Sequence, residues 1–155
     1  MGRRERGFTY LELVAAAFIL MILASAVMPV ARVTYKRNKE IELHRALREV
    51  RTAIDQFRLA VQQGRIGGTD VRLGAENCPA DLDTLVKGVT QVGGAGNKIK
   101  FLRRIPVDPI TGTTEWGMRC YQDEPDSTSW CGQNVWDVYS KSEEKGLNGI
   151  PYKEW

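Results

Sequence analysis

Charged, polar and apolar positions divide the chain into three stretches. From Leu13 to Ala31 no residue carries a charge. As a helix, a run of about 19 residues crosses about 30 Å of hydrocarbon. After Arg32 the pattern becomes periodic. Leu43, Leu47, Val50, Ile54, Phe57 and Val61 are spaced alternately by four and three, which places them on one narrow stripe of a helix. Arg45, Arg48, Arg51, Asp55 and Arg58 occupy the other faces and read mostly as solvated. Gly64 and the pair Gly67-Gly68 end the stripe. One helix is therefore expected from about Phe8 to about Gln63, on the order of 80 Å long. Pro29 lies inside it and is expected to kink or loosen it by removing a donor.

The third stretch is mixed. "CPADLDTLVKGV" predicts a short helix, with Pro79 near its start and Gly88 at its end. "VGGAGNKIK" reads as a loop, and "FLRRIPVDPITG" as extended chain with turns at Pro106 and Pro109. "EWGMRCYQ" and "NVWDVYSK" have strand composition. These pieces predict an α+β layer pair, a small antiparallel sheet packed on the helical stripe.

Charge sets the orientation of the first stretch. Arg3, Arg4 and Arg6 precede it, which favours a cytoplasmic N-terminus and places the rest of the chain on the far side of a membrane. "ASA" at Ala24–Ala26 imitates a signal cleavage site, but the apolar run continues past it. The net charge of +3 invites nucleic acid. Without the first seven residues the excess falls to +1, no basic patch with interleaved aromatics stands out, and no nucleic-acid partner is expected.

The downstream part should face an oxidising compartment, which permits a disulfide. Cys120 and Cys131 flank the turn-rich "YQDEPDSTSW" and are expected to pair, leaving Cys78 free or intermolecular. On the chain-entropy model such a loop closure stabilises by roughly 3 kcal/mol. The absence of any Cys-x-x-Cys removes support for zinc, haem attachment and thioredoxin-type chemistry. Ser140 and Ser142 lack a matching His–Asp arrangement and there is no phosphate loop, so no enzyme activity and no catalytic residue are expected. His44, the only histidine, reads as a surface or packing residue. Trp116, Trp130, Trp136 and Trp155 read as core or subunit-contact residues.

One residue resists the reading as a plain anchor. Glu12 stands at the head of the apolar run, where a lipid-facing charge costs roughly 2.5–3.5 kcal/mol. "RERG" followed by "FTYLELVAAAFILMILASAVMP" resembles the processing site and polymerisation helix of the type IV pilin superfamily. "FLRRIPVDPITGTTEWGMRCY" with "VWDVYSKSEEKGLNGIPYKEW" is similar to the G-type major pseudopilin of type II secretion systems. The middle of the chain carries little of the likeness.

The resemblance implies a type IV pilin-like fold with a leader over residues 1–7 and a transmembrane and filament-core half-helix over 8–31. An amphipathic half-helix over 32–63 and a periplasmic globular part over 64–155 follow. It implies cleavage after Gly7 and N-methylation of Phe8 by a prepilin peptidase. It also implies that Glu12 pairs with the freed Phe8 amine of a neighbouring subunit, with Pro29 at its familiar family position. An unpaired buried charge is worse than a pair, so this contact would enforce register. Ala15-Ala16-Ala17 and Ala24-Ser25-Ala26 would let helices approach closely. The implied partners are further copies in a homo-oligomeric filament, other pseudopilins or pilins, an inner-membrane assembly platform and the lipid bilayer. The implied location is the inner membrane, single-pass with the C-terminal part periplasmic, then a filament in the periplasm or at the cell surface.

The function so implied is a structural subunit of a periplasmic filament for type II protein secretion. The alternatives are a type IV pilus subunit for adhesion, motility or DNA uptake, and an uncleaved membrane-anchored periplasmic binding module. The family's terminal loop usually holds a structural calcium ion between Gly and Asp residues. Here "SKSEEKGLNG" has two Lys and no Asp. Ser140, Ser142, Glu143, Glu144 and Asn148 are weak ligand candidates; the other reading is a solvated turn with no cofactor.

Overall fold

A computed structural model describes residues 7, 9–67, 76–94 and 96–155, without the side chains of residues 26 and 27. Phe8 and the leader arginines lie outside the described residues. Two compact units divide the chain, one ending at Asn38 and the other Lys39–Trp155.

Helix α1, Tyr10–Gln62, contributes to both. Thr9 starts it: the Glu12 N–H donates to Thr9 Oγ1 at 3.3 Å and to the Thr9 carbonyl at 3.1 Å. Threonine followed three positions later by glutamate is a helix-start pattern, and an acid in the first turn suits the helix dipole. The helix runs unbroken across Pro29, although proline cannot donate to the Ser25 carbonyl one turn earlier. It ends in a Schellman motif. Arg65 N–H donates to Ala60 O and Gly64 N–H to Val61 O, both at 2.9 Å, with Gly64 at φ 66°.

Unit two is built on the helical stripe. Leu43, Leu47, Val50, Ile54 and Phe57 are each no more than 1% exposed. Ala46, Ala53 and Ala60 fill the gaps between them. They form one cluster with Leu82, Leu85, Val89, Leu102, Trp116, Val135, Val138 and Tyr152. Phe101 meets Phe57 edge-on at 5.4 Å. Burial of each large side chain contributes roughly 1.5–3 kcal/mol.

Helix α2, Leu82–Lys87, is short and capped at both ends. Asp81 accepts from Thr84 N–H at 2.7 Å, and Gly88 turns the chain out at φ 79°. A Cβ on Gly88 would lie 2.8 Å from Ile99 O, so that position also requires close backbone approach.

Four short strands follow. β1 (Val89–Thr90) pairs antiparallel with β2 (Lys98–Ile99), Val89 opposite Ile99. β3 (Gly117–Arg119) pairs antiparallel with β4 (Asp137–Tyr139), Gly117 opposite Tyr139. The architecture is α+β, with two corrections. The single expected sheet is, among the described residues, two separate two-stranded sheets. The expected loop "VGGAGNKIK" contains β2. Two-residue strands offer no periodicity to read.

Candidate functional site

The most unusual surface in the chain belongs to the first unit. Phe18, Leu20, Met21 and Leu23 are between 60% and 68% exposed. Glu12 is the one charged residue between Tyr10 and Ala31. The helix is long and apolar enough to cross a membrane. An exposed apolar surface of this extent marks an interaction surface for lipid or other apolar chains. Gly7 is exposed and has open space around its Cα. Ser25 Oγ donates to Ile22 O at 2.7 Å and Thr34 Oγ1 to Val30 O at 3.0 Å, so these hydroxyls are bonded within the helix.

In the second unit, polar side chains on α1 hold the C-terminal segment. Arg51 is the centre of this arrangement. Its guanidinium donates to Asp137 Oδ1 at 2.7 Å, Val138 O at 3.1 Å and Trp155 O at 2.7 Å. Arg51 was expected on a solvated face, and instead it joins β4 to the last residue. Glu40, one turn before the stripe, accepts from Leu147 N–H at 2.7 Å and from Tyr152 O–H at 3.0 Å. Burial, then the Glu40 hydrogen bond and charge, push the Tyr152 phenol up to about 12. His44 stacks on Trp155 at 4.4 Å. Trp155 and Asn148 crowd Gly146, where a Cβ would lie 2.5 Å from the Trp155 ring.

Arg119 makes a second tie. It donates to Ser127 O at 2.9 Å and Lys153 O at 2.8 Å, and its guanidinium lies 4.2 Å above the Tyr139 ring. Gly117 leaves room for that ring, because a Cβ there would fall 2.3 Å from it. The hydrogen-bond and ion-pair partners of Arg51 and Arg119 are main-chain oxygens and Asp137.

Cys120 and Cys131 form a disulfide with Cα atoms 6.0 Å apart. Asp123 lies close to both sulfurs, but its Oδ2 accepts from Cys120 N–H at 2.7 Å and the bonded sulfurs are not thiolate ligands. Cys78 is free and buried, and burial pushes its thiol up, away from the reactive thiolate.

The calcium candidates divide. Ser140 is fully buried; its Oγ donates to Asp108 Oδ2 at 2.6 Å and accepts from Ser142 N–H. Ser142 Oγ accepts from Glu144 N–H, and Asn148 Oδ1 from Ile150 N–H. Glu143 and Glu144 are exposed. Calcium takes six to eight oxygens, several of them carboxylates. Ser140, Ser142 and Asn148 thus use side-chain oxygens in hydrogen bonds of the fold, while the Glu143 and Glu144 carboxylates stand in solvent.

Among the tryptophans, Trp116 is in the core and donates to Pro106 O at 2.9 Å. Trp130 and Trp136 are more than a third exposed. Sequence reasoning missed Glu40 and Arg51, although the spacing held a signal for both. Glu40 precedes Leu43 by three, and Arg51 lies four after Leu47 and three before Ile54. Each is thus on or beside the buried face.

Compared with protein-family models, curated proteins and solved structures, the chain matches none.

Proposed function

We propose that this chain is a membrane-anchored filament subunit of the pilin type, a major pseudopilin-like component of a type II secretion apparatus. The observation that carries the reading is the first half of α1, apolar on every face with a single carboxylate, Glu12, in its first turn. In lipid that carboxylate is costly. Beside the amine of Phe8 on a neighbouring subunit, released by cleavage after Gly7, it gains a partner. Lipid tails and neighbouring Leu or Ile side chains are similarly apolar, so moving the helix from bilayer to bundle is nearly neutral. Filament growth and retraction then need little net energy from the helix itself. The second unit remains outside the bilayer, on the periplasmic side.

N-terminal sequencing of protein extracted from membranes tests the first step. The expected chain begins at Phe8 with a methylated amine; a chain beginning at Met1 rejects the proposal in favour of an uncleaved anchor. Glu12→Ala should abolish crosslinked multimers in membranes, and unchanged multimers would reject the pairing. A secretion assay in a deletion strain separates a secretion filament from a surface pilus.

A further inference from the structure

One groove in the second unit carries arginines that take no part in the ties made by Arg51 and Arg119. It has a volume of about 460 Å³ and lies between α1 and the segment after β2. Arg45, Arg48 and Arg103 line it, over an apolar floor that includes Phe101 and Leu102. A second depression of about 450 Å³ shares Arg45 and Arg48. All three arginines are exposed, and none forms an ion pair among the described residues. Glu49 is the one acid in the lining, so the groove keeps an excess of positive charge.

The same unit carries a segment of opposite character. The disulfide closes residues 121–130, which hold Asp123, Glu124 and Asp126 and no Lys or Arg. Asp123 is engaged at the loop base, while Glu124, Pro125 and Asp126 are exposed. Neither Glu124 nor Asp126 forms an ion pair among the described residues.

We infer that the groove of one subunit receives the disulfide loop of another copy of this chain. Complementary charge steers the encounter and fixes register. Pro125 gives the loop tip an apolar contact for the Phe101 floor. The disulfide holds the loop in one shape, which lowers the ordering cost of docking. The contact is heterologous, groove to loop, so it repeats from copy to copy and builds an open filament when the rotation does not close. The inference rests on the filament reading and adds a contact outside the apolar helices.

Charge exchange in the full-length chain tests it. Two differently tagged copies are co-expressed and recovered together from detergent-solubilised membranes. Arg45→Glu with Arg48→Glu should lower co-recovery about tenfold or more, and Glu124→Lys with Asp126→Lys should do the same. All four changes in one chain should restore it to within about threefold, as a coupled pair requires. A carbodiimide should then join positions 45 or 48 of one copy to 124 or 126 of the other. Loss without recovery, or no loss from either reversal, overturns the groove contact. So does a groove reversal that leaves co-recovery intact but removes binding of a single-stranded oligonucleotide, which would assign the groove to phosphate. Glu12→Ala is read in parallel. If it abolishes assembly while the charge exchange fails, the filament reading stands and the groove contact alone falls. Wild-type chains that never co-purify overturn both.

Discussion

The two halves of α1 belong to one continuous helix and meet opposite environments. Before Asn38 the large apolar side chains point outward on every face, and among the described residues none of them is buried. After Lys39 most of the apolar side chains fall on one stripe sealed by the rest of the unit, with Ile41 and Leu59 exposed outside it. Propensity does not separate the halves, since both are helical. Periodicity does: a helix apolar all round needs a partner on every side, whereas a striped helix needs one on one side. The packed core of this protein thus involves the second half, and the proposed membrane and assembly role falls to the first. Substitutions that act on one half and spare the other are the way to test that division.

Val50→Asp should have the largest effect. Val50 is fully buried within the cluster, and a carboxylate there has no partner. The expected loss exceeds about 4 kcal/mol, enough to unfold a small unit. All four tryptophans lie between Trp116 and Trp155, so their fluorescence during urea titration in detergent reports the second unit alone. A native-like tryptophan transition in this variant would break the division of labour.

Removing the disulfide comes next. Cys120→Ser with Cys131→Ser frees the loop and should lower stability by about 3 kcal/mol, with the fold retained. A transition midpoint unchanged from wild type would show that the loop is already ordered without its crosslink.

How far the chain's pattern foretold these features differs by region. The stripe from Leu43 to Val61 was legible because burial imposes a period that survives in the sequence. The end of α2 was legible because Gly88 has a local job, whereas its start is set by the Asp81 cap and not by Pro79. β2 was not, because its partner β1 is paired over only two residues. Arg51 was misread for a different reason. Its acceptors are 86 to 104 positions away, and a long side chain on the edge of a stripe reaches the core without altering the period. Glu12 was conspicuous at once, yet among the described residues its carboxylate has no hydrogen bond or ion pair, and its backbone N–H bonds to Thr9. The partner proposed for it belongs to another copy.

The Tyr152–Glu40 contact ties the C-terminal segment to the packed half through a proton. The folded phenol titrates at about 12 and the unfolded one near 10. The folded state therefore holds this proton more tightly. Its contribution is complete below pH 10 and disappears as pH rises from about 10 to about 12, amounting to roughly 2–3 kcal/mol. Other tyrosines and lysines titrate in the same range, so the measurement is the difference between wild type and Tyr152→Phe. The two unfolding curves should differ by a constant amount up to pH 9 and converge above pH 11. Parallel curves throughout would mean that burial and Glu40 do not hold the proton.

Leu20→Ala should have the smallest effect on stability and sharpens the comparison most. In the packed half, Leu47→Ala would cost about 2–5 kcal/mol, because it opens a cavity among neighbours that cannot collapse. Leu20 is 65% exposed and is not a member of the buried cluster. The tryptophan-monitored transition of Leu20→Ala should therefore stay within about 0.5 kcal/mol of wild type. The same change removes apolar surface from the one stretch able to enter a bilayer, so it should register in membrane retention or subunit crosslinking and not in folding. A stability loss comparable to that of Leu47→Ala would mean that Leu20 packs within its own chain, and the separation between the two halves of α1 would fail at its simplest point.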